Sequence, residues 1–555
     1  MLRVSSVPRG QMQQLHPTFW QAVQHYSPIR IYKNRSSEDV YIENHTIIKN
    51  GEPLTSQKNI TDPHFKVIYS LLVDRFLNGN MDNDHPVADP LVPAIANYMG
   101  GDILGITQKI EEGYFLDMGI NTLWVSPITL GPDTSYTESV PPYRRYSGYH
   151  GYWPVDNRKI DHRFGNDGDV KTLISTAHDN DISVLLDFVS NHTHEDHPYY
   201  QQNKDWYGKV ELADGSFNIR NWSEEYVLST WFETFLPSFT YTTSEAAIEQ
   251  VVDDAVYWIE EYGFNGFRQD ATKHVPHTFW KYLRNKLDEK FPRKQLFQIG
   301  ETFGSDELIA SFVNPGELDS QFNFSLYFTI RNQLIKEEID FYSIHEGIQD
   351  NLLHHQPINK MGTITSSHDQ VRFISLADRQ IRLDDNPIEK AFHDPPIEIA
   401  QALSYEKLFM FTAMNIALPG VPVIYYGEEI GMPGAGDPDN RRMMKFSKDL
   451  SPIEKKHLRR MQRLISLRTQ YTSLALGDWS VIYNNQIVGW KKTYFDETII
   501  LLFNRTPESL VKAIHPLGDG RLQSLLDSDV FLINNGDGEF QFRPYETKIL
   551  LVEKN

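Results

Sequence analysis

The sequence predicts an α/β chain: a (β/α)8 barrel of the TIM type, with an insert after the third strand and an all-β region at the C-terminus. Three observations carry this. Strand-like and helix-like runs alternate about eight times over roughly 400 residues, the pattern of βαβ units around a closed parallel sheet. After the third strand the rhythm breaks into an aromatic-rich irregular stretch, about 193–242. Beyond about residue 476 only strand-type runs occur.

The elements follow in order. Residues 1–64 are polar and mixed, with weak strand signals at 29–32 and 40–42, and read as an N-terminal extension. VIYSLLVDRF (67–76) is a buried-strand run, ILGITQKIEEGYFLDMG (103–119) an amphipathic helix and NTLWVSPI (121–128) the second strand. A helix at 169–178 and the strand SVLLDFV (183–189) precede the insert. A helix at 246–262 leads to the strand 263–271. Then come a helix at 277–290, strand LFQIGE (296–301), a helix at 306–313 and strands near 320–325 and at 361–369. A helix at 405–418, strand VPVIYYGEE (421–429) and a helix at 454–470 complete the barrel, 65–475. The tail, 476–555, holds SVIYNN, IVGWKKTY, TIILLFN and KILLVE and reads as a small separate β domain.

Composition narrows the function. The 555 residues suggest two or three domains, and 40% hydrophobic with 12% aromatic residues supplies a large core. A formal net charge of -21 argues against nucleic acid or an anionic membrane as partner and fits neutral ligands and cations. There is no cysteine, which excludes disulfides and thiolate metal sites. No stretch approaches the roughly 20 apolar residues of a membrane helix, and the N-terminus has no signal-peptide run. The expectation is a cytoplasmic protein as written, or a periplasmic or secreted one if a signal has been removed.

In a (β/α)8 barrel, polar residues at the carboxyl ends of strands read as catalytic. In GFNGFRQDATKH (263–274) period-two alternation puts Arg268 and Asp270 on one side of a strand end. A guanidinium beside a carboxylate favours its ionised form, which a nucleophile needs; a buried structural ion pair is the other reading. Glu301 ends the fifth strand in GETF, and His368 and Asp369 end the seventh in SSHDQ. DFVSNH, with Asp187, Asn191 and His192, ends the third. Three acids, Asp270, Glu301 and Asp369, thus converge on one face.

These pieces, in this order and spacing from about Val67 to the end, resemble the α-amylase family of glycoside hydrolases (family 13). DFVSNH, GFRQDATKH, GETF and SSHDQ match its four motifs, and YHGYW (149–153) its −1 sugar-binding segment. The insert 193–242 lies where the family carries domain B, and the tail where it carries domain C. The resemblance implies Asp270 as nucleophile, Glu301 as general acid then base, and Asp369 as the third acid on sugar hydroxyls. It implies His150, His192 and His368 as hydrogen-bonding groups at −1, Tyr152 as a stacking surface, and Lys273 with His274 at +2. Arg268 would hold the nucleophile's pKa low while that of the acid is raised.

The Lys273–His274 pair and Ala271 after the nucleophile resemble α-1,4-active members, and GDPDNRRMM (436–444) resembles a loop of amylases and cyclomaltodextrinases. The implied function is retaining hydrolysis of α-1,4 bonds in starch-type glucans or maltooligosaccharides. Cyclomaltodextrinase, neopullulanase or transglycosylase action on the same fold is the alternative, and a non-catalytic carbohydrate-binding scaffold the remaining one. The short N-terminal extension favours an α-amylase over a cyclomaltodextrinase, which usually carries a full β domain there.

Two positions depart from the family. Ser238, in LPSFTYT (236–242), stands where an Asp usually helps hold calcium with Asn191, and Ser367 stands where an Asn is common. NGNMDND (78–84) and YMGGD (98–102) offer clustered oxygen ligands of the kind calcium takes, or a solvated Asn/Asp turn. The resemblance to a calcium loop of glucanotransferases implies a structural Ca2+ held by Asn78, Asn80, Asn83, Asp84, the Gly100 carbonyl and Asp102.

Overall fold

A computed structural model describes residues 62–553 except 140, 356–359, 393–394, 484–485, 516, 518–519 and 534–535, with the backbone of Val40–Glu43, Thr46–Lys49 and Glu52–Pro53. Those three short strands form one antiparallel sheet. The strand expected at 40–42 falls in the first of them, and the one at 29–32 lies outside the described residues.

Eight parallel strands make the central sheet: β1 (Ile68–Leu71), β2 (Thr122–Val125), β3 (Ser183–Phe188), β4 (Gly266–Gln269), β5 (Phe297–Gly300), β6 (Ser320–Gln321), β7 (Gly362–Ile364) and β8 (Val421–Tyr425). Their order is β6-β5-β4-β3-β2-β1-β8-β7, and a parallel bridge from Phe322 to Gly362 joins the two outer strands into a barrel. The strands are short and almost wholly buried, as a sheet covered on both faces demands.

The helices outside it start on local signals. α1 (Ile103–Glu111) is capped by Asp102, and α2 (Asp167–Asp179) by a reciprocal Asn166–Asp169 box. α3 (Glu245–Glu261) starts on Ser244, α4 is His277–Lys290, and α5 (Asp306–Ser311) starts on Ser305. α6 (Phe324–Leu334), α7 (Phe341–His355) and α8 (Ala402–Ala417) follow, and α9 (Pro452–Gln470) opens with a Ser451–Glu454 box.

Four expectations are corrected. The helix expected over 103–119 ends at Glu111; Gly113 and Gly119 take left-handed backbone and a 3-10 turn replaces its last part. The strand expected over 67–76 ends at Leu71, and Val73–Phe76 turn into a helical segment. β8 ends at Tyr425, not 429. Two helices, α6 and α7, fill the stretch between the sixth and seventh strands, where none was expected.

Between β3 and α3, residues 189–244 hold only short helical turns and isolated bridges. Small antiparallel pairs at Thr129–Leu130/Asp156–Ile160 and Tyr136–Thr137/Arg145–Tyr146 flank them in sequence. The C-terminal strands are β9 (Asp478–Tyr483), β10 (Ile487–Tyr494), β11 (Glu497–Asn504), β12 (Leu510–Ile514), β13 (Gly520–Ser524), β14 (Val530–Ile533), β15 (Gly538–Phe542) and β16 (Thr547–Glu553). Six form one sheet, β9-β10-β11-β16-β13-β14, and β12 pairs with β15. Trp490 of β10 donates to His345 at 2.9 Å, and Phe503 of β11 stacks on Phe341, so this sheet packs on α7. Among the described residues no helix is long and apolar enough to cross a membrane.

Candidate active site

The site is built at the carboxyl end of the barrel. Asp270 directly follows β4, Glu301 directly follows β5, and Asp369 lies five residues beyond β7. Parallel register sets Asp187 of β3 beside Arg268 of β4. Arg268, 1% exposed at its side chain, then spans three carboxylates. Its Nη1 lies 2.8 Å from Asp187 Oδ1 and 2.7 Å from Asp270 Oδ1, and its Nη2 lies 2.7 Å from Glu301 Oε2. Trp124 Nε1 and the Tyr152 hydroxyl both donate to the second Asp187 oxygen, at 2.9 and 2.6 Å.

Asp369 closes the opposite side. His368 Nε2 is 3.1 Å from its Oδ2, and Arg441 Nη2 is 3.1 Å from its Oδ1. Arg441 also donates to the His368 carbonyl through Nε and pairs with Asp437. Tyr149 donates to Asp437 at 2.9 Å. The GDPDNRRMM loop therefore ties the third acid to the YHGYW segment. Tyr152 stacks on His368, with centroids 5.4 Å apart, and its hydroxyl comes within 3.1 Å of His368 Nε2.

The remaining expected residues hold specific contacts. His150 Nδ1 accepts the Tyr152 N–H at 3.0 Å. His192 is buried, with Nε2 at 2.9 Å from the Tyr152 carbonyl and Nδ1 at 3.4 Å from Asn191, so both ring nitrogens are engaged within the protein. Lys273 donates to the Phe303 carbonyl at 2.8 Å. His274 Nδ1 lies 2.8 Å from the Val227 carbonyl, which pins the insert to the turn after Asp270. Trp222 of that insert is 50% exposed and packs at 5.0 Å from His274 and 5.4 Å from Phe232. Sequence reasoning misses Trp222, Phe232, Trp124, Arg441 and Asp437; the aromatic insert and the 436–444 loop carry a signal for all but Trp124, which sits inside the second strand run.

Electrostatics depart from the expected split of acid and nucleophile. Burial pushes Asp270 up to about 8 against the pull of Arg268, and burial likewise raises Glu301 against the same guanidinium. The two groups sit across one cation, so they titrate as a pair that holds a proton well above the usual carboxylate range. Asp369 behaves oppositely: burial works against ionisation, but His368 and Arg441 hold its carboxyl below the usual range. Burial keeps His192 and His274 neutral, each lowered to about 4. Ala271, after Asp270, takes left-handed backbone (φ 48°, ψ 40°), which costs an L-residue about 1 kcal/mol or more.

The expected cation loop is compact. Asp102 Oδ1 caps α1 through Gly105 N–H, and its Oδ2 accepts the N–H groups of Gly79 and Asn80. Asp84 accepts from Asn78 Nδ2 at 2.9 and 2.8 Å, and Asn80 accepts the Asp82 N–H. The Oδ1 atoms of Asn78 and Asn83 are buried without a hydrogen-bond partner among the described residues. Gly100 has φ +87°, and a Cβ there would lie 2.4 Å from Asp84 Oδ1. No group of three His, Asp or Glu side chains suited to a metal occurs among the described residues. At the other conventional position, Asn191 Nδ2 faces the Ser238 hydroxyl at 3.4 Å.

Comparison with known proteins gives a consistent family. The profile described as "Alpha amylase, catalytic domain" matches residues 70–464. The cyclomaltodextrin glucanotransferase of Geobacillus stearothermophilus is 29% identical over 462 residues, which cover 80% of this chain and 60% of that protein. The cyclomaltodextrinase of Thermoanaerobacter pseudethanolicus is 26% identical over 458 residues, covering 80% of this chain and 71% of that one. The chain thus spans about 60% of the length of the glucanotransferases it matches. Among solved structures, an Anoxybacillus α-amylase superposes with TM-score 0.74 at 28% identity, covering 89% of this chain and 99% of that one. The α-amylase of Geobacillus thermoleovorans, complexed with acarbose, gives 0.72 at 26% with the same coverage.

Proposed function

The chain belongs to the α-amylase catalytic-domain family, and from that premise we propose that it is a retaining glycoside hydrolase acting on α-1,4 bonds of starch-type glucans or maltooligosaccharides. The observation that carries this is the single guanidinium of Arg268 gripping both Asp270 and Glu301 at neighbouring strand ends. Retention needs two carboxyl groups close together, about 5–5.5 Å apart, and Asp270 Oδ1 and Glu301 Oε2 are neighbours, each 2.7 Å from a nitrogen of the same guanidinium. Asp270 attacks the anomeric carbon and forms a β-glycosyl–enzyme ester. Glu301 gives its proton to the leaving glycosidic oxygen, then takes one from the water that cleaves the ester. Both carboxyls are raised and share a proton across Arg268, and the reaction starts from the form that has this proton on Glu301 and the charge on Asp270. Asp369, kept ionised beside His368 and Arg441, accepts hydrogen bonds from sugar hydroxyls.

We divide the chain into an extension (1–64), a catalytic barrel (65–475) with an inserted domain B (about 193–242), and a domain C (476–555). His150, Tyr152 and His368 line the bound sugar ring in this reading, with Lys273 and His274 on the leaving-group side; His192 supports the site through Tyr152. Ca2+ fits the loop at 78–102 as a structural ion. The support is the pair of unpartnered amide oxygens of Asn78 and Asn83 beside the carboxylates of Asp84 and Asp102, a hard-oxygen set. Asn80 and the Gly100 carbonyl complete that set, and the ion would tie the loop after β1 to the start of α1. At Asn191 and Ser238 the donors fit a hydrogen bond in place of an ion.

A second reading, glycosyl transfer to a sugar in place of water, is favoured by the exposed Trp222 beside His274, a surface for an acceptor ring. A product time course on soluble starch, maltoheptaose, β-cyclodextrin and pullulan, with an Asp270→Asn control, tests both. Early mixed oligosaccharides absent in the variant support the hydrolase. Products longer than the substrate support transfer. No turnover of any of the four overturns the α-1,4 assignment.

A further inference from the structure

The turn after Asp270 is clamped to the strand end that carries Glu301 by Thr272, a side chain with no assigned role. Thr272 is fully buried. Its N–H donates to the Glu301 carbonyl at 2.9 Å. Its hydroxyl accepts the Glu301 N–H at 2.9 Å and donates to the Gln269 carbonyl at 3.1 Å. The Glu301 N–H also reaches the Gln269 carbonyl at 3.0 Å, so the hydroxyl is the second arm of a three-centre bond. Ala271 N–H points at Glu301 Oε2 from 3.4 Å. The hydroxyl seats there because residue 300 is glycine: a Cβ at that position would lie 2.6 Å from Thr272 Oγ1. The acid's backbone is thereby keyed, on both its N–H and its carbonyl, to a residue two positions from the nucleophile.

We propose that Thr272 is a positioning residue for Glu301, setting where the acid's carboxyl stands relative to Asp270 through hydrogen bonds to the Glu301 backbone. This rests on the acid/base role given to Glu301 above. Thr272 touches no reacting atom. Loss of its hydroxyl leaves Glu301 N–H on one acceptor and frees the strand end to shift, and a shift of about 1 Å at reacting groups costs up to about 10²-fold in rate.

The test compares Thr272→Val, which keeps shape and removes the hydroxyl, with Thr272→Ser, which keeps the hydroxyl. Each is assayed on maltoheptaose, whose leaving oxygen needs the acid's proton, and on α-maltosyl fluoride, whose leaving group needs little help. For Thr272→Val we expect kcat on maltoheptaose to fall about 10-fold with KM changed less than about twofold, and the fluoride rate to fall less than about threefold. The basic limb of the maltoheptaose pH profile should move in Thr272→Val and return in Thr272→Ser. Thr272→Ala, which removes the hydroxyl and adds no bulk at the Gly300 notch, should show the same leaving-group-dependent loss should Thr272→Val not fold. Equal losses on both substrates, unchanged maltoheptaose kinetics, or a loss that Ser does not restore would overturn the positioning role. Turnover of neither substrate by the unmodified chain would overturn the hydrolase reading, and this role with it.

Discussion

Arg268 Nη2 lies 2.7 Å from Glu301 Oε2, one strand away, while the same guanidinium holds Asp270. The two carboxyls given the roles of acid and nucleophile in the proposed function therefore share their counter-charge. Replacing Arg268 by Met should leave three buried carboxyls facing one another. Breaking a buried pair from one side costs about 3–5 kcal/mol, and urea unfolding at neutral pH should register a loss of that order. Unchanged unfolding would show that the cation is dispensable to the fold.

Shared counter-charge and burial together set a pH dependence. Asp270 is raised to about 8. A carboxyl raised on folding stabilises fully below its unfolded pKa of about 3.9, and that contribution disappears as pH rises through the folded value. The melting temperature should therefore fall between about pH 4 and pH 8, and Asp270→Asn should flatten the curve. Glu301 adds in the same direction. Asp369 acts oppositely, and its contribution is lost only as pH falls below the ordinary carboxyl range. Parallel curves for the unmodified chain and Asp270→Asn would contradict the assignment.

Asp270→Asn and Glu301→Gln should each lower kcat on maltoheptaose by at least about 10³-fold, the proposed nucleophile and general acid each being essential to a step. Both keep the side-chain volume, and far-UV circular dichroism should be unchanged. Residual activity above a few per cent in either would move that role elsewhere.

The loop at 78–102 should respond to chelation. A ligand at 100 times its Kd stabilises by about 2.7 kcal/mol. EGTA should then lower the melting temperature, and calcium should restore it. Asp84→Ala should melt at one temperature with or without EGTA. A chelator-insensitive unmodified chain would remove calcium from the loop.

Trp222 stands half-exposed against His274. An aromatic face stacked on the apolar face of a pyranose contributes about 1 kcal/mol, or about fivefold in binding. Trp222→Ala should raise KM for maltoheptaose by about that factor and change α-maltosyl fluoride less. Equal effects on both would place the Trp outside the sugar path.

Much of this was legible in the chain itself. The eight strands and their order follow from hydrophobic runs between helix signals, because each βαβ unit is local. Period-two alternation places Arg268 and Asp270 on one side of the chain at the end of β4, and a strand end locates Glu301; Asp369 lies five residues past the end of β7, which is shorter than the 361–369 run suggests. The helices α6 and α7 were not legible. Asn323 caps α6 directly after the Phe322 bridge, so no turn cluster marks the boundary, and a strand signal at 320–325 runs into helix without a break.

What tertiary structure alone decided is which neighbours meet. Alternation says that Arg268 and Asp270 share one side; only the parallel register and barrel closure bring Arg268 to Asp187 and Glu301 as well as Asp270. The same closure brings Arg441 to Asp369, 72 residues away, Trp222 to His274, and the Thr272 hydroxyl into the notch at Gly300. It also overturned the simple pKa expectation. A sequence shows which charges lie near in the chain, but the depth of burial that outweighs them belongs to the packed barrel. Local periodicity dictates elements and faces because it acts within a few residues; contacts between strand ends depend on how separate strands pair across space.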